Sequence, residues 1–354
     1  MINLYESVFE CQVSDYLEDL CSKHSCIFSR ELVTVVLDDS VFKQWLSSFK
    51  LGEDFESCYG KFFSGQTRSS VYGFRVLSLG VCIDGVLYPL YFEYVRKNSK
   101  NSKNSKNSKN SKNSKKPDAI KQAEKLVHKF GNFRNRLVKK GIEIPDLHFS
   151  CDNGYSHLDL ANCCQNNHLI YISVPTKNHL FEIEGRNIKL SDWINQIYLP
   201  LEKEYYDKQN ELKITKPKPF IYRFKGIYKS KKLAVTMIAF RLNGSKKVSI
   251  VYSTNATIFR KTMRRHWFQR SYIEQFFKLL KHVLKIQETK TKNKRGFTFK
   301  LWRFAWMALQ LQKLVKYVRK KIKFENKGFI YIQRLMRKDD EIIDLLQNII
   351  HSNI

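Results

Sequence analysis

Two things are scarce in this sequence of 354 residues: acidic side chains and long apolar runs. Only 33 Asp and Glu stand against 63 Lys and Arg, a formal charge of +30. A field of that sign draws in polyanions and neutralises phosphates by releasing counterions, so the balance points to nucleic acid as the partner. No stretch approaches about 18 consecutive apolar residues, so no membrane-spanning helix is expected. The opening MINLYESVFECQVSDYLEDL lacks a basic region followed by an apolar core, so no secretory signal is expected either. Nor is there a cysteine framework. The eight cysteines are scattered apart from the adjacent Cys163 and Cys164, and Cys21, His24 and Cys26 have no second matching pair. They read as reduced, mostly structural thiols of an intracellular chain.

What is present suffices for a folded core, with 43% hydrophobic and 14% aromatic residues in one large domain or two ordinary ones. Residues 98 to 115 are six tandem Asn-Ser-Lys copies without an apolar residue, which predicts a disordered cationic loop. On either side the pattern is regular. Leu32 to Leu37 is an apolar, β-branched run ending at Asp38-Asp39-Ser40 and reads as a buried strand. Strands near 73–83 and 86–95 meet at Asp84-Gly85, a two-residue hairpin signal. Pro117 opens a helix carrying Ala123, Leu126, Val127, Phe130, Phe133 and Leu137 at helical spacing, and Gly141 stops it. A strand from Leu147 to Cys151 leads into Asp152-Asn153-Gly154, and a short helix precedes a strand from His168 to Val174.

Three antiparallel strands, a crossover helix, a strand, a helix and a strand follow the order of an RNase H-like mixed α/β sheet with helices on both faces. A right-handed crossover brings the fourth strand parallel to the first. Asp38 and Asp152, far apart in sequence, then become neighbours at two strand ends. Residues 175 to 250 read as a mostly β insertion, with strands at Phe220–Tyr228, Leu233–Leu242 and Val248–Ser253 and a turn at Asn243-Gly244. Trp193 lies within it. The final stretch is helical, including Phe297 to about Lys323, with Trp302 a core residue. His148, alternating with Phe149 on a strand, reads as a packed or surface histidine.

The segment from Trp267 to Lys285 carries the most chemistry. At about 100° per residue, Trp267, Arg270, Glu274, Lys278, Lys281 and Lys285 project within about 80° of one another. Ile273, Phe276, Phe277, Leu280, Val283 and Leu284 fill the other side. One carboxylate among cations suits a metal ligand beside phosphate-binding groups, and it also suits an exposed helix with an ordinary Glu–Lys pair.

The spacing decides between them. Arg270, three residues, Glu274, six residues and Lys281 resembles the Tyr-x2-Arg-x3-Glu-x6-Lys motif of the insertion-sequence-four family of DDE transposases, with Trp267 at the tyrosine place. Asp38-Asp39-Ser40 looks like that family's first aspartate element, and Asp152-Asn153-Gly154-Tyr155 like its second. Ser253-Thr254-Asn255 is similar as well, and the resemblance spans roughly residues 30 to 320. It departs in two places: tryptophan removes the phenolic hydroxyl, and only about 30 residues precede the first strand, where relatives usually carry a longer DNA-binding region. Either end recognition has moved to other segments or the chain begins late.

The resemblance implies a cut-and-paste transposase that cleaves the ends of its own element and joins them to target DNA. It implies Asp38, Asp152 and Glu274 as ligands of two Mg²⁺ (or Mn²⁺) ions, with Asp38 preferred over Asp39. Trp267, Arg270, Lys278, Lys281 and Lys285 would contact DNA, and Trp267 or Trp193 would hold a flipped base. Expected partners are double-stranded DNA, both terminal inverted repeats and target, and a second copy of the chain in a homodimer on DNA. A bacterial cytoplasmic, nucleoid-associated location is expected. The implied organisation is a short N-terminal segment (1–30), a catalytic core (31–174 and 251–290) split by the insertion (175–250), and a C-terminal helical region (291–354). Two other readings stay open: an RNase H-like nuclease without strand transfer, and a decayed or domesticated DNA-binding protein.

Overall fold

The computed structural model describes residues 2–22, 33–43, 58–64, 69–95, 118–175, 178–215, 217–229, 233–242, 245–288 and 294–322. The Asn-Ser-Lys repeat, the Asn243-Gly244 turn, His24, Cys26 and the chain beyond residue 322 lie outside the described residues.

Eleven strands join one mixed sheet. Strand β1 (Val33–Lys43) is central, with β3 (Ser69–Ile83) antiparallel on one side and β5 (Leu147–Cys151) parallel on the other. Strand β3 also pairs with β2 (Tyr59–Ser64) and, through the expected hairpin, with β4 (Val86–Tyr94). At the hairpin both Asp84 (φ 47°) and Gly85 (φ 79°) are left-handed, as a two-residue turn matching strand twist requires. Beyond β5 the sheet continues through the parallel β6 (Leu169–Ser173). It then runs antiparallel through β11 (Val248–Ser253), β10 (Leu233–Arg241), β9 (Ile221–Tyr228), β7 (Leu180–Ile183) and β8 (Arg186–Lys189).

Helices cover both faces, and the period-two alternation of the strands says which residues meet which helix. Thr34 pairs across the sheet with Cys82 and His148 in register, so all three side chains share one face. Helix α6 (Arg260–Lys278) docks there: His266 Nδ1 lies 2.7 Å from Thr34 Oγ1 and stacks on His148 at 3.7 Å, and Cys82 Sγ donates to Gln269 Oε1 at 2.8 Å. On that same face Phe92 of β4 meets Trp302 of helix α7 (Lys294–Ile322) at 4.7 Å. On the opposite face Glu93 pairs with Lys125 of α2 (Asp118–Lys139) at 2.6 Å, and the Tyr91 hydroxyl donates to Glu10 of α1 (Ile2–Ser22). Helix α3 (Leu158–Asn166) links β5 to β6.

Several elements differ from the sequence-based expectation, helix α1 and strands β7 and β8 being additional. Strand β1 does not stop at the aspartates but runs to Lys43, because the long β3 pairs with it from Val33↔Ile83 to Lys43↔Gly73. Hydrogen bonds on that side hold Asp38, Asp39 and Ser40 extended despite their weak strand preference. Strand β2 is additional. The insertion contains a helical run as well as strands: α4 (Leu190–Trp193), a π-helical turn (Ile194–Tyr198) and α5 (Leu199–Glu211). The wide turn is followed by Leu199 and then Pro200, which has no N–H to give an α-helical turn.

The docking of α6 rests on polar contacts that burial makes sensitive. Burial pushes His266 down to about 2 and His148 down to about 4, so both rings are neutral, with His148 and Arg265 adding to the shift at His266. Thr34→Val leaves the His266 nitrogen without its partner, and a buried unsatisfied group costs about 1–3 kcal/mol. Urea denaturation should show a loss of that size, whereas an unchanged midpoint would mean the bond contributes nothing net.

Candidate active site

The parallel ladder between β1 and β5 ends at the pair Leu37↔Cys151. The next residue on each chain is an aspartate, Asp38 and Asp152, so the expected adjacency holds although Asp38 lies within its strand. Helix α6 crosses above them and brings Arg270 and Glu274. Arg270 Nη1 is 2.7 Å from Glu274 Oε1, 3.7 Å from Asp38 Oδ2 and 3.8 Å from Asp152 Oδ1. Three carboxylates from three elements thus converge on one guanidinium nitrogen. The Asp38 and Arg270 side chains are largely covered (15% and 16% exposed), while Asp152 and Glu274 are open to solvent at 50% and 40%. The site is therefore a cleft with a buried floor and an exposed rim.

Asp38 and Asp39 have different surroundings. Asp39 is held by Arg75, whose Nε and Nη2 donate at 2.7 and 2.8 Å, and it also accepts from the Tyr155 hydroxyl. Among the described residues, Asp38 takes the Asp39 backbone N–H, at 2.8 Å, besides its approach to Arg270. Burial and the neighbouring Asp39 charge push Asp38 up to about 7, against the pull of Arg270 and that N–H. The Asp152 loop is fixed from below. The Tyr171 hydroxyl donates to the Tyr155 carbonyl at 2.7 Å, Ser173 Oγ to the Asp152 carbonyl at 3.3 Å, and Ser156 Oγ lies 2.7 Å from the Tyr252 hydroxyl. Arg75, Tyr155, Tyr171, Ser173 and Tyr252 were not singled out in the sequence. Their only advance signal was the place of Tyr155 in the Asp152-Asn153-Gly154-Tyr155 box.

The cations of α6 do not form the single row expected. After Lys278 the helix widens into a π turn (Leu279–Val283), with Leu284 N–H bonded to Leu279 C=O at 3.0 Å. The i→i+5 step rotates the succeeding residues off the α-helical ladder. Lys281 turns inward, its ammonium 5.2 Å over the Phe42 ring, and burial lowers it to about 8 while Asp39 and Asp38 partly oppose that. Lys278 is exposed on the outside. Lys285 falls outside the helix at φ 54° and pairs with Glu288 at 3.4 Å, so it does not extend the face of Glu274. The opposite side behaves as expected, with Ile273, Phe276, Phe277 and Leu280 buried.

The two expected base-stacking tryptophans differ in exposure, Trp193 being buried and Trp267 only partly so. Trp193 is 3% exposed and stacks on Phe224 at 3.9 Å, which removes it as a holder of an extruded base. Trp267 packs against Phe240 (5.9 Å) and Phe268 (5.1 Å), and its indole N–H is buried without a partner. Trp302 is core at 1% exposed. A cavity of about 620 Å³ lies elsewhere, beside the Glu202–Arg241 ion pair in the insertion, and touches none of the acidic residues of the cleft.

The donor set suits a hard divalent cation, since three carboxylates supply oxygen ligands and little else. A positive group already sits where they converge, which is the charge the cluster requires. Among the described residues no three acidic, His or Cys side chains lie close enough to share one ion as placed. The Arg270 guanidinium lies within 4 Å of an oxygen of all three.

No protein-family model matches the sequence, and no curated protein matches it. Among solved structures, the chain is similar to the cryo-EM structure of a piggyBac transposase synaptic complex with hairpin DNA. The identity is 12% and the TM-score 0.37, covering 89% of this chain and 57% of that chain. This chain thus spans little more than half the length of that one, and a likeness of this size does not establish a shared fold. What the structure defines by itself is a mixed α/β protein with an acidic cleft at the end of its parallel strands. No helix among the described residues is long and apolar enough to cross a membrane.

Proposed function

We propose that this chain is a DDE transposase with an RNase H-like core (31–174 and 251–290), resembling the insertion-sequence-four family, that cleaves element ends and joins them to target DNA. The observation that carries the reading is the convergence of Asp38, Asp152 and Glu274, from two neighbouring strands and one crossing helix, on a single point. Asp38, Asp152 and Glu274 would hold the divalent ions, and Mg²⁺ or Mn²⁺, two in this reading, supplies Lewis-acid activation when bound.

The chain's own residues do the rest. Lys281, beside Asp38 and Asp39 on the inner wall, binds a phosphate oxygen, and Lys278 on the outer surface contacts the flanking backbone. Arg75 and Tyr155 hold Asp39 aside, which keeps Asp38 aimed into the cleft. The formal charge of +30 supplies the long-range attraction for both inverted repeats and target DNA. A homodimer on DNA, one protomer for each element end, completes the proposal.

The test is to incubate the purified chain with DNA bearing the element's ends, Mg²⁺ and a target plasmid. The reading requires cleavage at the ends and covalent joining to the plasmid. Cleavage without joining would favour a nuclease that does not transfer strands, and DNA binding without cleavage would favour a decayed DNA-binding protein.

A further inference from the structure

We propose that Arg270 is a built-in counter-ion that occupies the metal position in the free protein and must swing away before a divalent cation can bind. This rests on the metal-site reading above and adds to it a competition between one side chain and the ion.

Arg270 Nη1 lies within 4 Å of one oxygen from each of the three carboxylates, yet only the Glu274 contact, at 2.7 Å, is of hydrogen-bond length. The other two, at 3.7 and 3.8 Å, are attraction across a gap. A guanidinium has five N–H donors and gains most from planar, two-point contact with a carboxylate. Here its Nε is buried with no hydrogen-bond partner among the described residues. Arg270 is thus held by the summed charge of the cluster and not by a full set of directed bonds. Asp39 shows the contrast a few ångströms away: Arg75 grips it with two short bonds and is locked.

Like charges this close repel, and without a cation between them the three carboxylates would destabilise the fold. A divalent ion brings twice the charge of the guanidinium to the same place, so the two cannot share it. Arg270 and Glu274 are one helical turn apart, so rotation of the arginine side chain alone, with the helix fixed, clears the point of convergence. The released guanidinium then needs a new anion, and a DNA phosphate at the cleft is the nearest. Metal and DNA binding become coupled: DNA that draws Arg270 outward raises metal affinity, and by reciprocity metal raises DNA affinity.

The experiment is Mn²⁺ calorimetry on the full chain at fixed pH, with melting temperatures, for the native protein, Arg270→Gln and Arg270→Lys. Without metal, Arg270→Gln should melt lower than the native chain. It should bind Mn²⁺ about tenfold more tightly or better, which corresponds to about 1.4 kcal/mol, and saturating Mn²⁺ should recover the lost melting temperature. Duplex DNA should tighten Mn²⁺ binding by the native chain and leave Arg270→Gln unchanged. Arg270→Lys keeps the charge and should bind Mn²⁺ close to the native value; if Arg270→Gln does not fold, Mn²⁺ binding by the native chain with and without DNA carries the comparison, and no tightening by DNA would overturn the proposal. Native protein and Arg270→Gln binding Mn²⁺ equally, or the variant more weakly, would overturn the competition while leaving the metal site standing. No Mn²⁺ binding by either would overturn the metal-site reading and this inference with it.

Discussion

Asp38→Asn is expected to abolish metal-dependent DNA cleavage and, at the same time, to make the protein more stable. Losing one carboxylate ligand removes several kcal/mol of transition-state stabilisation, about a thousandfold or more in rate. The stability gain follows from the position of Asp38, whose carboxyl is pushed up to about 7 by burial and by the adjacent Asp39 charge. In the unfolded chain it titrates near about 3.9. The folded state therefore disfavours the charged form. That penalty is fully present above pH 7 and fades as pH falls through 7, vanishing below about 4, where the group becomes protonated in both states. The shift, in which the attraction to Arg270 is already counted, sets an upper limit of about 4 kcal/mol on the gain. Melting curves at pH 8 should place Asp38→Asn a few degrees above the native protein, and the difference should shrink by pH 4.5. A variant less stable at pH 8 would show that Arg270 more than compensates the buried charge.

Lys281→Ala should be the most damaging change among the cations of the helix, lowering cleavage by about 10- to 100-fold, the loss of one charge-assisted contact to phosphate. Its partly buried place over Phe42, with Asp38 and Asp39 nearby, puts the charge inside the cleft. Lys285, outside the helix and paired with Glu288, should tolerate the same change with little effect. Burial also sets the pH dependence. With its pKa lowered to about 8, Lys281 loses its charge as pH rises through 8, so native cleavage should decline between pH 8 and 9. Lys281→Arg keeps the charge throughout and should recover part of the activity without that decline, since its geometry differs. A flat pH profile in the native protein would separate Lys281 from the reacting phosphate.

Much of this arrangement was legible in the sequence because it depends on local periodicity. The apolar runs Leu32–Leu37 and Leu147–Cys151 identify two buried strands, and the helix between them is long enough to lay them parallel. That places Asp38 beside Asp152 before any contact is known. Helical spacing likewise set Ile273, Phe276, Phe277 and Leu280 inward and Glu274 on the other side.

What was not legible depends on pairing across long separations. The different surroundings of Asp38 and Asp39 come from Arg75 and Tyr155, which lie 36 and 116 residues from Asp39 and bond it across the fold. The continuation of β1 past its aspartates is imposed by β3, not by the residues themselves. An ideal 100° rotation per residue misplaced Lys281 and Lys285 because the π turn after Lys278 interrupts it. The mechanism implied by the resemblance made Trp193 a candidate for stacking, whereas in the insertion it packs inward onto Phe224. The inward direction of Arg270 is likewise a tertiary outcome. Its spacing to Glu274 fits an exposed pair equally well, and only the two aspartates from below make it the centre of the cluster.

The central claim, that Asp38, Asp152 and Glu274 form one metal-dependent catalytic centre, is tested most directly by Mn²⁺-dependent cleavage of element-end DNA by the native chain and Glu274→Gln. Glu274 is 40% exposed and outside the core, so the amide is expected to leave the fold in place, and DNA occupancy is matched between the two proteins. The account predicts cleavage by the native protein that requires the metal, and none above background by Glu274→Gln at equal DNA occupancy. Cleavage by Glu274→Gln at the native rate, or native cleavage that persists when the metal is chelated, would contradict it.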